Sequence, residues 1–103
     1  MTKTYTFQEP TEKRIGFLPT LDYFQKMYSK SMEGADQKAA TVFRSYESQE
    51  RLRRLQNELT WIKDGKVSSS ACDRLVGKKR KSKYGSYERW AQLMLLWLAQ
   101  NRK

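Results

Sequence analysis

The segment Tyr87–Leu98 constrains this chain most, because it is apolar nearly all the way round a helix. Tyr87, Trp90, Ala91, Met94, Trp97 and Leu98 recur at three- and four-residue steps and make one face. Leu93, Leu95 and Leu96 fill much of the remainder. Such a helix is buried or clamped between surfaces. Trp90–Ala99 is only ten residues, against the ~20 that a membrane span needs. It is therefore expected to be the core helix of the fold, over roughly 86–101. Ser86 is its N-cap, Glu88 lies in the first turn, and Arg102 and Lys103 complement the negative C-terminal end.

Elsewhere apolar residues are scarce. Leu, Ile, Val and Phe make up 19 of 103 residues, below the ~20% that with high net charge marks disorder. Three Trp, six Tyr and four Met offset this, since aromatic side chains bury ~150–250 Å² each. The expectation is one small helical domain over 19–103, preceded by an arm, 1–18, that is extended or partly disordered. Tyr5 and Phe7 alternate with Thr4 and Thr6 as in a short strand, but no partner strand is evident. Pro10 and Gly16 interrupt anything longer.

The spacing predicts an all-α fold of about four helices. The first covers roughly 20–33, with Thr20 as N-cap, Asp22 in the first turn, and Leu21, Phe24, Met27 or Tyr28, and Met32 on one face; Gly34 ends it. The second covers 36–63, free of Gly and Pro. Its two halves carry separate stripes, Ala39/Val42/Phe43/Tyr46 and Leu52/Leu55/Leu59/Ile62. Phe43 and Leu52 are nine residues apart, about half a turn out of phase at ~100° per residue. Either the helix breaks near Ser48-Gln49, or it is continuous and packs on different partners, as self-association would allow. Asp64-Gly65 ends it, although Asp-Gly also suits a hairpin turn. A short third helix, 69–76, follows the candidate caps Ser68–Ser70 and turns Cys72, Leu75 and Val76 inward. The core helix is the fourth.

The net charge is +10 with no histidine. Residues 1–34 and 35–65 are each net +1, while 66–103 carry +8. Lacking histidine, the chain cannot form a Ser-His or Cys-His nucleophile pair, and there is no Gly-rich phosphate loop. Glu47 and Glu50 beside Arg51, Arg53 and Arg54 read as solvated i,i+4 pairs. No enzyme, metal site or cofactor is expected, although a histidine-free ribonuclease using Lys, Arg and Tyr is physically conceivable. One cysteine, Cys72, allows no internal disulfide. With no apolar leader in the first 20 residues, the reading is an intracellular protein, cytoplasmic or nuclear.

The functional lead is the stretch from Gly77 to Gly85. Five of the six residues 78–83 are basic, and the stretch reads as a flexible, glycine-bounded loop. Arg74, Lys78, Lys79, Arg80, Lys81, Lys83 and Arg89 are candidates for phosphate contacts, and Tyr84 and Tyr87 for stacking on bases or bonding to phosphate. DNA or RNA is the expected partner. A solubilising loop or a nuclear-import signal would use the same residues. The turn at Asp64–Val67 also admits a helix-turn-helix, with Ser68, Ser69, Asp73 and Arg74 facing a groove, or an ordinary helical hairpin. Trp90 and Trp97 read as core, whereas Trp61, off the Leu52–Ile62 stripe, is the exception available to stack. The rival reading is a helical interaction subunit, pairing with a second copy or an acidic protein.

Overall fold

The computed structural model describes residues 15–30 and 35–99. Within them the chain is all-helical, with six α-helices rather than about four. They are α1 (Pro19–Phe24), α2 (Asp36–Tyr46), α3 (Gln49–Lys63), α4 (Ser69–Leu75), α5 (Lys78–Tyr84) and α6 (Tyr87–Ala99). α1 runs directly into a π-helical turn, Gln25–Ser29. Residues 31–34 and 100–103, the expected ends of the first and last helices, lie outside the described residues, as do 1–14 of the arm.

α6 is the axis of the fold, as its composition predicts. Trp90, Ala91, Met94 and Leu98 are buried, with α2, α3 and α5 packed around them. Each fully buried side chain of Leu or Met size contributes about 1.5–3 kcal/mol, so this face outweighs any propensity term. Ser86 does cap it, accepting from Arg89 N–H at 3.0 Å. Leu93, Leu95 and Trp97 are half-buried and Leu96 is exposed, so the helix is clamped on three sides rather than sheathed.

The expected helix 36–63 is two helices. The chain is extended at Glu47 and Ser48, and Ser48 caps α3 through its hydroxyl, which accepts from Arg51 N–H. The break resolves the phase conflict: Ala39 and Phe43 of α2, and Leu55, Leu59 and Ile62 of α3, are buried in one core. Tertiary contacts fix the position of the break. Glu47 accepts from the hydroxyls of Tyr23 and Tyr28 and from Arg51, whose guanidinium lies 4.3 Å from the Tyr23 ring centroid. Of the i,i+4 pairs expected in solvent, Arg54–Glu50 is solvated, whereas Arg51–Glu47 forms with Glu47 largely buried.

α3 ends at Gly65, in the left-handed region at φ 76°. Gly65 N–H bonds to the Ile62 carbonyl and Lys66 N–H to the Trp61 carbonyl, the Schellman pattern. The Asp-Gly pair is thus a helix stop and not a hairpin.

At the start of α1 the expected Thr20 cap is replaced. Pro19 opens α1, Leu18 precedes it, and no local side chain caps it. Instead the buried carboxylate of Glu58 on α3 accepts from the backbone N–H of Thr20 at 3.1 Å and of Leu21 at 2.7 Å. A carboxylate there also meets the positive end of the helix dipole. The described end of the arm is packed: Leu18 is fully buried, and Ile15 forms a parallel bridge with Val67.

Candidate nucleic-acid interface

The basic stretch 78–84 is not a loop. It is the helix α5, entered through Gly77 at φ 103°. Local rules argue against this helix. Lysines in its first turn oppose the helix dipole, and Lys79 and Lys83 are like charges at i,i+4, worth a few tenths of a kcal/mol each in the wrong direction. Arg80 and Tyr84, also at i,i+4, decide the matter. Both turn inward onto Asp36 at the start of α2.

Asp36 is the hub of the site. Its side chain is 3% exposed. Arg80 donates to it from Nε at 3.0 and 3.1 Å and from Nη2 at 2.8 Å. The Tyr84 hydroxyl donates at 3.1 Å and the Trp90 indole N–H at 3.2 Å. Arg80 also donates to the Ser29 hydroxyl and the Val76 carbonyl, and its guanidinium stands 5.7 Å from the Trp90 ring centroid. Burial by itself would push the Asp36 carboxyl up; the Arg80, Tyr84 and Trp90 donors more than offset it and hold the carboxyl below its ordinary value. Breaking a buried pair of this kind costs about 3–5 kcal/mol, more than the repulsion within α5.

The nine expected contact residues therefore divide into three groups. Arg80, Tyr84 and Tyr87 are bound into the fold. Tyr87 is buried and donates to Asp73, and burial, with that bond, raises its pKa. Burial and Asp36 push Tyr84 up to about 12. Arg74 is exposed, but its guanidinium donates to the Gly16 carbonyl at 2.6 Å. Lys78, Lys79, Lys81, Lys83 and Arg89 are exposed. With Arg80 and Tyr84 turned inward, the four lysines fan across the outer half of α5. Lys81 Nζ lies 5.6 Å from the Tyr87 ring centroid and Lys83 Nζ 5.3 Å from that of Tyr84.

For a helix-turn-helix the candidate recognition helix is α4, capped by Ser68. It has seven residues. Asp73 and Arg74, the groove-facing candidates, are both engaged inside the molecule. Ser69 is exposed.

The sequence reading did not single out a cleft of about 630 Å³ between the first turns of α2 and the α5–α6 corner. Gln37, Lys38 and Thr41 line one wall, and Lys83, Tyr84 and Trp97 the other. The Tyr84 and Trp97 rings meet edge to face at 6.5 Å. Of its lining, the sequence reading named Lys83 and Tyr84 as contacts but not the α2 wall or Trp97, and nothing in the sequence links Tyr84 or Arg80 to Asp36, 44 residues earlier for Arg80. Of the three tryptophans, Trp90 is fully buried, Trp97 half-buried, and Trp61 the most exposed at 37%. No helix among the described residues is long and apolar enough to cross a membrane. No protein-family model, curated protein or solved structure matches the chain.

Proposed function

We propose that this chain binds nucleic acid, DNA or RNA, through phosphate contacts within residues 74–89, without catalysis and with modest sequence selectivity. One observation carries the reading: a helix anchored by its inner face to Asp36 directs Lys78, Lys79, Lys81 and Lys83 outward, and it contributes no acid of its own. A rigid array spends less entropy on each phosphate contact than a loop does. Each phosphate neutralised releases condensed counterions, so three or four contacts give a slope of log affinity against log salt of about −2.7 to −3.6 on duplex DNA and about −2 to −3 on a single strand. An intracellular setting, cytoplasmic or nuclear, accompanies the proposal: the single cysteine, Cys72, is buried and has no second cysteine to pair with. The test is binding of short DNA and RNA probes over a salt series, with Lys78, Lys79, Lys81 and Lys83 changed to Glu as the comparison. Binding that weakens with salt and vanishes in the variant supports the reading. No binding at low salt, or affinity indifferent to salt, overturns it.

A second reading has its own observation. Leu93, Leu95 and Leu96 line a shallow apolar cleft with Lys63 and Arg89 at its rim, and Leu96 is 55% exposed. This suits a helical interaction subunit that docks a second copy or an acidic protein. Loss of assembly in Leu96→Glu, a change within this cleft, in a protein that never bound nucleic acid, selects it.

A further inference from the structure

The cleft between α2 and the α5–α6 corner differs in chemistry from the outer face of α5. The lysine fan offers charge alone, which suits any phosphate backbone. The cleft adds two half-buried rings, Tyr84 and Trp97, with Lys38 on one wall and Lys83 on the other. Its one acid, Asp36, is already matched by Arg80, Tyr84 and Trp90, so it presents little uncompensated negative charge to an anion. Gln37 and Thr41 on the α2 wall add polar side chains. The cleft is shallow and open to solvent, with a volume of about 630 Å³.

We infer that this cleft receives an unpaired base, so that the protein prefers single-stranded nucleic acid to duplex. The base stacks against Trp97 beside Tyr84, and Lys38 and Lys83 take the flanking phosphates. Lys83 belongs to both surfaces, so a strand tracking along α5 reaches the cleft without a gap. A duplex keeps its bases paired and stacked and meets only the lysine fan. This inference rests on the nucleic-acid reading and narrows it to one strand state.

The experiment compares oligothymidylate with an oligothymidylate–oligoadenylate duplex at low salt. Trp61→Phe removes the most exposed indole, leaving Trp97 and the fully buried Trp90 as reporters. Oligothymidylate should quench Trp97 emission, and the duplex should not. Trp97→Leu should weaken oligothymidylate binding by about tenfold, roughly the worth of one stacked base, and leave duplex binding unchanged. Lys38→Glu, at an exposed position on α2, should weaken the single strand more than the duplex and does not depend on how well Trp97→Leu folds. Equal affinity for both probes, absent quenching, or single-strand binding untouched by Lys38→Glu overturns the inference and leaves the phosphate-binding reading standing. Failure of both probes to bind at low salt overturns the two together.

Discussion

Arg80 on α5, itself partly exposed, and the buried Asp36 on α2, 44 residues earlier, form an ion pair in which Nε and Nη2 of the guanidinium grip the carboxylate at 2.8–3.1 Å. The most basic segment of the chain is therefore attached to the body by one of its own basic residues. Arg80→Ala should destabilise the protein by about 3–5 kcal/mol, because it leaves the Asp36 carboxylate buried with only neutral donors. Arg80→Lys should recover part of the loss, since an ammonium lacks the planar fork. Urea unfolding at neutral pH measures both, and an unchanged midpoint for Arg80→Ala would refute the structural role.

Stability should fall in both acid and alkali. The Tyr28 hydroxyl, with Tyr23 and Arg51 and against the effect of burial, holds Glu47 below its ordinary 4.5; the Asp36 carboxyl likewise lies below 3.8. Folded values below unfolded ones mean that this stabilisation is complete above the unfolded values and is lost as pH drops through the folded ones. Tyr84 has the opposite sign. Raised from 10.0 to about 12, it contributes fully below 10.0 and ceases to contribute as pH climbs past 12. A thermal-unfolding series should show a plateau from about pH 5 to 9, where the raised Cys72 thiol begins the alkaline limb that the tyrosines continue. Asp36→Asn should flatten part of the acid limb and Tyr84→Phe part of the alkaline one.

Glu58→Ala should free the start of α1. The carboxylate satisfies Thr20 N–H and Leu21 N–H, and no nearer side chain caps that end. Loss of a helix cap costs about 0.5–2 kcal/mol. Hydrogen exchange at these two amides should accelerate more than at the centre of α3. Uniform acceleration across the molecule would mean that Glu58 acts through packing instead.

Periodicity was enough to read the elements whose stability comes from one apolar face. α6 with Trp90, Met94 and Leu98, α3 with Leu55, Leu59 and Ile62, and the stop at Gly65 all follow from spacing and from a single backbone requirement. The two out-of-phase stripes in 36–63 announced a conflict and offered a break near Ser48-Gln49 as one resolution, without deciding between that and a continuous helix. The break falls at Glu47 because hydroxyls from the Tyr23–Tyr28 region hold that carboxylate, and these contacts join residues 19–24 positions apart.

By itself the sequence determined a helical body built round Tyr87–Leu98 and a charge gathered from Lys66 onward, since periodicity and composition are local properties. Only the tertiary structure decided that residues 78–84 are a helix. A run of lysines lacks the local free energy to hold one turn, and the missing stabilisation comes from a carboxylate 44 residues away. The same pairing turns Arg80 and Tyr84 inward, leaves the lysines on the outer face, and makes Tyr84 a wall of the cleft shared with α2.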